Sequence, residues 1–316
     1  MKIFSGDDVR RTVSMAAAVG AVRAAFGELR AGNFVLPARQ VFGDGAVLVM
    51  SAYHPPTGTA VVKKIGIALD QVPAIRATLI WTGSGEQIVA DGTSITTLRT
   101  GAVVGVATEL LADPDATRLT VIGTGAQSAD QVRAVLAVRR IAEVTLVGRD
   151  AGRAAALAAT LGEEFPEVKF TSGTDIEASV ADAEVICCAT SSSTPLFRAD
   201  ALPERVHVNA IGAFRPTMRE LPRDLLATAT LVVVDQEEAA LEESGEIIDA
   251  IEAGVLARSG ASHGGSPAST TATSRPSLLD LGDALADPPA VSGRTVFKSV
   301  GVGPQDWAIA KLLSES

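Results

Sequence analysis

The amino-acid sequence predicts an α/β protein that combines a parallel sheet, covered by helices on both faces, with a separate N-terminal α+β region. Two patterns in the chain lead to this prediction. Short β-rich runs separated by Gly and Pro occupy residues 35–90, whereas apolar strands alternate with helical patterns from residue 113 onward. The length of 316 residues also corresponds to about two domains of ~150 residues each.

Composition and charge narrow the functional classes. Hydrophobic residues make up 47% and charged residues 20% of the chain, as is typical of folded globular proteins. The net charge is −10 and Lys and Arg do not cluster, so we expect no nucleic-acid partner. The N-terminus lacks the apolar core of a signal peptide, and no apolar run approaches the ~20 residues of a membrane span. We therefore expect a cytoplasmic protein without membrane contact.

Cysteine and histidine do not form a metal-binding pattern. Cys187 and Cys188 are adjacent in an apolar run, which predicts two buried strand residues rather than a disulfide framework or a zinc site. His263 lies in a low-complexity run and His54 in a Tyr-His-Pro-Pro turn, and neither has a partner at ligand spacing, so we expect no metal. His207 lies near the start of a predicted strand and is expected to pack at its end.

The first predicted domain covers residues 1–112. Apolar residues between positions 8 and 30 recur at three- and four-residue steps, which predicts one or two amphipathic helices. Strands are predicted at 46–50, 60–67 and 77–81, and a helix at 94–111. The sequence Asp113-Pro114-Asp115 is a candidate linker, because proline disfavours helix in the residue before it.

The second predicted domain covers residues 113–294 and alternates strands with helices. The predicted strands are 118–122, 144–147, 168–171, 185–189, 206–211 and 231–234, with helices at 129–140 and 152–161. Such alternation of continuous apolar strands with helices indicates a parallel sheet. The low-complexity run at 258–276 is predicted to be a mobile surface loop.

A glycine-rich turn opens this second domain. The segment Gly123-Thr124-Gly125-Ala126-Gln127-Ser128 follows a predicted strand and begins a predicted helix. Gly123 permits a tight turn, and Gly125 lets backbone N–H groups and the helix N-terminus approach a pyrophosphate. Ser128 replaces the third glycine of the dinucleotide fingerprint with another small residue. The pattern favours a Rossmann domain with Gly123, Gly125, Ala126 and Gln127 at the cofactor.

The end of the next strand indicates which dinucleotide is bound. An acidic residue there would bind the ribose 2′-hydroxyl of NAD, but the chain carries Gly148 followed by Arg149, whose guanidinium suits a 2′-phosphate. This favours NADPH. A small shift of register would instead make Asp150 the ribose ligand and allow NADH, and the alternative role of Asp150 is the N-cap of the next helix.

Further motifs lie in order over nearly the whole chain. They are SITTLRTGA (94–102), GTGAQ (123–127), IGAFRP (211–216), REL (219–221), VD (234–235), ESGE (243–246) and TVFKSVG (295–301). On these motifs the chain resembles the ornithine cyclodeaminase and mu-crystallin family. The resemblance implies an N-terminal substrate and dimerisation domain that residues 295–316 rejoin, a Rossmann domain, and a homodimer.

The resemblance also implies site residues. An arginine and a lysine that meet the substrate in the family match Arg39 and Lys63, and a third cation near substrate and cofactor phosphates matches Arg99. Lys64 neighbours Lys63 on a predicted strand, so only one of the two can enter the site, and motif alignment favours Lys63. The remaining expected cofactor contacts are Thr100, Thr190, Ile211, Gly212 and Ser299. The acidic residues Asp235, Glu237, Glu238, Glu242 and Glu243 are predicted to form a solvated helix face.

Phe214 departs from the family's cyclodeaminases, which carry an aspartate at this position for acid/base work. A phenyl group cannot transfer a proton, and the surrounding residues are instead similar to the family's ketimine and Δ1-pyrroline-2-carboxylate reductases. We therefore expect Phe214 at the substrate and an NADPH-dependent reductase of a C=N bond adjacent to a carboxylate. The alternatives are an amino-acid cyclodeaminase, an alanine-type amino-acid dehydrogenase, and a non-catalytic NADPH-dependent binder of small molecules.

Overall fold

The computed structural model describes residues 1–68, 70–71, 75–83, 85–259 and 275–316. Most of the loop predicted at 258–276 lies outside the described residues. The chain forms two compact units, Met1–Val106 with Gly301–Ser316, and Ala107–Val300. The division at 112/113 and 294/295 inferred from the sequence stays a prediction. Among the described residues no single helix is long and apolar enough to cross a membrane, although two short helices bent by 86° meet the length and composition test together.

The first unit is an α+β structure built on one mixed sheet. Its elements are β1 (Lys2–Phe4), α1 (Gly6–Thr12), α2 (Met15–Arg30), β2 (Gln40–Phe42), β3 (Val47–His54), β4 (Thr59–Ile67), β5 (Ile75–Gly83), β6 (Glu86–Asp91), the beginning of α3 (Gly92–Leu111), and α11 (Gly303–Ser314). The six described strands have the order β1-β6-β5-β4-β3-β2. Only β1 and β6 pair in parallel, and the other pairs are antiparallel.

Side chains of the central strand β4 alternate between the two faces of this sheet. Lys63 and Ile65 are buried, whereas Val62 and Lys64 are exposed. The buried face is covered by α11, which packs on β3 and β4 and against α2. The predicted alternation of Lys63 and Lys64 is therefore correct, since the two-residue period of a strand places neighbours on opposite faces.

The second unit is an eight-stranded parallel sheet with helices. Its elements are β7 (Arg118–Ile122), α4 (Ser128–Val138), β8 (Glu143–Val147), α5 (Ala151–Glu164), β9 (Lys169–Gly173), α6 (Ile176–Val180), β10 (Val185–Cys188), β11 (Val206–Ala210), α7 (Arg223–Thr228), β12 (Leu231–Val234), α8 (Glu237–Glu243), α9 (Gly245–Glu252), β13 (Leu278–Asp280), α10 (Leu281–Ala286) and β14 (Arg294–Lys298). The order of the described strands is β13-β12-β14-β11-β10-β7-β8-β9.

This strand order creates a switch point beside β7. The chain runs from β7 outward through β8 and β9, then returns to the other side of β7 with β10 and continues to β11. In open parallel sheets, ligands bind beyond the carboxyl ends of the strands at such a reversal. The loops that follow β7, β8, β10 and β11 all lie at that edge.

Most predicted elements are present, with ends shifted by at most four residues. The pattern over residues 8–30 corresponds to two helices, α1 and α2, because Ser5 and Ser14 each accept a backbone N–H and cap a new helix. Cys187 and Cys188 are buried in β10, as predicted.

The prediction of a solvated acidic face was wrong for two of its five residues. Asp235 is buried and accepts hydrogen bonds from Ser299 Oγ at 2.8 Å and from the Val300 N–H at 3.0 Å. Glu237 is buried and bonds Arg258 Nε at 2.8 Å. Partners far away in sequence cover these carboxylates, which a local charge pattern does not reveal.

Candidate functional site

The turn after β7 is shaped by the close approach of another backbone. Gly123 has a φ of +117°, and a Cβ built on it would lie 2.4 Å from the carbonyl oxygen of Ala189, in the loop after β10. Only glycine tolerates both the left-handed conformation and this approach. The two loops on either side of the switch point are thereby held together.

The N-terminus of α4 provides a cradle for an anion. A Cβ on Gly125 would meet nothing within 4 Å, so the backbone there is open to a ligand. Gln127 Oε1 and Ser128 Oγ are buried and lack a hydrogen-bond partner among the described residues. Open backbone, the Ser128 hydroxyl as a donor and the positive end of an 11-residue helix together fit the pyrophosphate of a dinucleotide.

Gly148, the residue directly after β8, has no space for a side chain. A Cβ on Gly148 would lie 2.7 Å from Cγ2 of Thr124, in the glycine-rich turn. Arg149 is exposed. Asp150 caps α5, because its Oδ1 accepts the backbone N–H of Arg153 at 3.1 Å. The cap uses one carboxylate oxygen of Asp150. The positively charged group exposed directly after Gly148 is the guanidinium of Arg149.

A buried carboxylate, that of Glu220, joins the loops after β10 and β11. Its Oε1 accepts the backbone N–H of Thr190 at 2.7 Å and the Thr190 hydroxyl at 2.9 Å. Its Oε2 accepts the backbone N–H groups of Gly212 at 2.7 Å and Ala213 at 3.2 Å. Burial raises the pKa of Glu220, although the nearby ammonium of Lys298 acts in the opposite direction. Thr190 and Gly212 are thus positioned by one side chain that the sequence pattern did not single out.

A buried ion pair lies at the same edge of the sheet. Lys298, at the end of β14, lies 3.0 Å from Glu246 and donates to the carbonyl oxygen of Ala213 at 2.6 Å. Ile211 is buried, and Ser299 gives its hydroxyl to Asp235. Phe214 is partly buried, and the Arg215 guanidinium lies 5.5 Å from the centre of its ring.

The first unit holds a separate cluster around Lys63. Lys63 Nζ donates to Asp306 Oδ1 at 2.7 Å and to Thr96 Oγ1 at 3.2 Å, and the side chains of Lys63 and Asp306 are each 1% exposed. Burial lowers the pKa of Lys63 to about 8, even though Asp306 favours the charged form. Repulsion from Arg99 and Arg39 also lowers this pKa. A lysine in this state exchanges a proton readily near neutral pH.

Two arginines accompany this lysine. Arg99 Nε lies 3.7 Å from Asp306 Oδ1, and its Nη1 hydrogen-bonds Gln305 Oε1. Arg39 donates to the carbonyl oxygen of Gly301 at 2.9 Å. Gly301 has a φ of +88°, and a Cβ there would lie 2.3 Å from Arg99 Nη1. Thr100, the neighbour of Arg99 on α3, is buried.

The cluster therefore brings Arg39, Lys63 and Arg99 into one environment with the carboxylate of Asp306. Three cationic side chains in one cluster suit an anionic ligand. The contribution of α11, through Gln305 and Asp306, was missed from the sequence. A Gln-Asp pair inside an apolar helix was the available signal, because polar residues buried there require partners.

Comparison with known proteins identifies the family. The family model described as "Ornithine cyclodeaminase/mu-crystallin family" matches residues 2–316. The chain belongs to this family.

The Δ1-pyrroline-2-carboxylate reductase of Bacillus cereus (strain ATCC 10987 / NRS 248) is 39% identical to this chain over 241 residues, which cover 73% of this chain and 67% of that protein. The ketimine reductase mu-crystallin of Mus musculus is 30% identical over 281 residues, covering 86% of this chain and 80% of that protein.

Two solved structures are similar to this chain over its whole length. The Δ1-pyrroline-2-carboxylate reductase of Thermococcus litoralis, in complex with NADH and L-proline, has a TM-score of 0.87 at 25% identity and covers 100% of this chain and 97% of its own. An archaeal alanine dehydrogenase dimer with bound NAD has a TM-score of 0.85 at 25% identity, covering 100% and 95%. The α/β class and the Rossmann-like sheet predicted from the sequence are confirmed.

No metal centre emerges from the described part of the chain, where no group of three His, Cys, Asp or Glu side chains is placed to hold an ion. His207 is buried against Thr295 and Asn209, and burial lowers its pKa to about 3. His54 contacts Thr57 at 2.7 Å and Glu28 at 3.3 Å. Both histidines have structural partners.

Two glycines of the same turn give a matched test of the cradle. Gly123→Ala is expected to destabilise the fold, because its Cβ collides with the Ala189 carbonyl, whereas Gly125→Ala keeps the stability of the parent chain. Gly125→Ala is instead expected to weaken dinucleotide binding by tenfold or more, on the order of one lost charge-assisted contact. Thermal unfolding and cofactor titration measure the two effects. Equal stability loss in both variants, with unchanged binding, would contradict the assignment.

Proposed function

We propose that this protein is an NADPH-dependent reductase of a C=N bond adjacent to a carboxylate, acting on a cyclic imino acid or ketimine and forming the cyclic amino acid. The observation that carries the proposal is the buried lysine of lowered pKa, held by Asp306 beside two arginines. This arrangement suits a small anion that must gain a proton. The names of the relatives, Δ1-pyrroline-2-carboxylate reductase and ketimine reductase, support the same reaction class.

The proposed role of the arginines is to bind the substrate carboxylate. A guanidinium offers paired N–H donors that match the two oxygens of a carboxylate. Arg39 is partly buried and donates to the carbonyl oxygen of Gly301 at 2.9 Å. Arg99 is buried and hydrogen-bonded to Gln305, so its guanidinium is fixed in position. Besides the substrate carboxylate, the cofactor phosphates are its second proposed ligand.

The proposed role of Lys63 is to supply or stabilise the proton on the imine nitrogen. A protonated imine carbon accepts a hydride far more readily than a neutral one, so the proton must be held where the reaction occurs. Thr96 and Asp306 fix the ammonium group in place. When bound, the reduced nicotinamide supplies the hydride.

The second unit is proposed to bind the cofactor. Gly123, Gly125, Ala126 and Gln127 would surround the pyrophosphate, while Thr190, Ile211, Gly212 and Ser299 belong to the loops at the same edge of the sheet. Gly148 leaves no space for a side chain beside Thr124, and exposed Arg149 is suited to a 2′-phosphate. NADPH is therefore the proposed cofactor, with NADH as the alternative through Asp150.

Two family activities compete with this proposal. A cyclodeaminase would need a carboxylate at Phe214, where the phenyl group offers no acid or base. An amino-acid dehydrogenase finds support in the similarity to the archaeal alanine dehydrogenase. Both alternatives release or consume free ammonia, whereas reduction of a preformed imine does not. A non-catalytic binder would have no use for a buried lysine that is poised to transfer a proton.

The proposed assembly is a cytoplasmic homodimer. Val62 and Ile80 are paired neighbours on the outer face of the six-stranded sheet and are 40% and 46% exposed, and Ile3 on β1 is 71% exposed. Exposed apolar side chains in one row across a sheet suit burial against a second copy.

Cofactor preference is the first test. NADPH is expected to give a higher kcat/KM than NADH, and Arg149→Ala should remove most of that difference, because the 2′-phosphate loses its guanidinium. Arg153→Ala, at an exposed arginine on the following helix, is the matched control and should keep the preference. Steady-state kinetics with both cofactors measure it. A parent enzyme that prefers NADH would contradict the proposed role of Arg149.

The two neighbouring lysines provide the second test. Lys63→Met is expected to lower kcat by about a hundredfold or more, as loss of a proton-transfer group does, and Lys64→Met should change it little. In the parent enzyme Lys63 is active when protonated, so activity should be present at neutral pH and decline as the pH rises through about 8. Should Lys64→Met be the inactive variant, the assignment of strand faces to function is wrong.

The reaction itself is tested by ammonia release. The purified protein is expected to oxidise NADPH with a cyclic imino acid and to release no ammonia from ornithine or lysine with NAD(P)+, because Phe214 cannot serve as the acid/base group. A panel of five-membered, six-membered and acyclic imino acids would define the substrate. Ammonia release from ornithine at a rate comparable to imine reduction would require withdrawal of the reductase proposal.

A further inference from the structure

The carboxylate of Asp306 has two oxygens in different situations. Oδ1 receives Lys63 Nζ at 2.7 Å and lies 3.7 Å from Arg99 Nε. Oδ2 is buried and has no hydrogen-bond partner within the described part of the chain. An ionised oxygen in such a position is costly, because burial removes water without replacing its hydrogen bonds. Buried polar atoms of this kind usually mark the place of a missing donor.

The charges around Asp306 indicate the chemical nature of the missing donor. The charged groups that act on the pKa of Lys63 include one carboxylate, that of Asp306, and two guanidiniums, those of Arg99 and Arg39. The carboxylate of a substrate would be repelled by Asp306 and attracted by the arginines. A positively charged N–H group would have the opposite preference. The substrate carboxylate is therefore expected at the arginines and the substrate nitrogen at Asp306.

We propose that Asp306 binds the nitrogen of the substrate, with Oδ2 accepting the N–H of the protonated imine and later of the product amine. This inference rests on the proposed function and names the group that recognises the nitrogen. The proton passes from Lys63 Nζ to the lone pair of the imine nitrogen, which forms the N–H that Asp306 receives. Addition of the hydride to the carbon then moves the C=N π electrons onto nitrogen and leaves a neutral amine, while Lys63 regains a proton from solvent.

This role differs from that of the aspartate that the family's cyclodeaminases carry at the position of Phe214. Asp306 lies on α11, within one turn of Gln305 and in direct contact with Lys63. Its carboxylate would stabilise the positive charge on nitrogen and orient it, and it need not release a proton at any step. Specificity for a nitrogen-containing ring would follow from this contact.

Paired ligands that differ only at the nitrogen test the inference. L-Proline and tetrahydrofuran-2-carboxylate share a ring and a carboxylate, but the second has an ether oxygen in place of the N–H. Pipecolate and tetrahydropyran-2-carboxylate form the corresponding six-membered pair. The parent protein, with NADP+ present, is expected to bind the nitrogen ring more tightly by roughly tenfold to a hundredfold, the effect of one hydrogen bond to a charged group. Calorimetric titration gives the ratio.

Asp306→Asn should abolish that ratio. Because the Lys63 ammonium can only donate, it will donate to the amide oxygen of the new asparagine. The amide N–H2 then faces the ligand nitrogen, where an acceptor is needed. Affinity for the oxygen ring should not fall, since the arginines still hold its carboxylate and its ether oxygen can accept the amide N–H. Glu315→Gln, an exposed carboxylate after the same helix, is the matched control and should keep the ratio of the parent.

A second variant guards against misfolding. Asp306→Asn leaves Lys63 buried without its counter-charge, whereas Lys63→Gln combined with Asp306→Asn removes both charges together. The double variant should bind both rings with equal affinity. A ratio that survives in either folded variant would overturn the inference. If the parent protein reduces no imine and binds neither ring, the proposed function fails instead, and the two failures are thus distinguished.

Discussion

The contact between Lys63 and Asp306 is the interaction on which the first unit's chemistry depends. A buried ammonium is tolerated only where a carboxylate and a further acceptor meet it, and Asp306 and Thr96 fulfil both needs. Because β4 supplies the lysine and α11 the carboxylate, the packing of that helix on the sheet determines the charge state of the site. Burial lowers the pKa of Lys63 to about 8, although this contact favours the charged form.

In the second unit, a buried carboxylate satisfies backbone N–H groups of the loops that follow parallel strands. Loops that end parallel strands carry N–H donors without strand partners, and these donors must be satisfied before they can shape a ligand site. Glu220 accepts N–H groups from two loops at once, and Gly123 lets a third approach within contact distance of the Ala189 carbonyl. Rigid loops at a switch point are what dinucleotide recognition requires. Substitution of either residue would therefore alter several loops together.

Features encoded within a few neighbouring residues could be predicted from the sequence. The turn at Gly123 follows from a strand, two glycines and a helix in succession, and the burial of Lys63 rather than Lys64 follows from strand alternation once motifs choose the face. Asp306 lies 243 residues from Lys63, and Glu220 lies 30 residues from Thr190, so no local pattern joins them. The burial of Asp235 was mispredicted for the same reason, since its partner Ser299 comes 64 residues later. Chain topology alone brings such pairs together.

A crystal structure of the protein with NADP+ and the product amino acid would test the proposed roles of Arg39, Lys63 and Asp306. We expect the amino-acid carboxylate against the guanidinium of Arg39 and the ring nitrogen within hydrogen-bond distance of Asp306 Oδ2, with Lys63 still bonded to Oδ1. The 2′-phosphate is predicted beside Arg149. An amino acid bound with its carboxylate away from Arg39, and its nitrogen away from both Lys63 and Asp306, would contradict the proposed reaction.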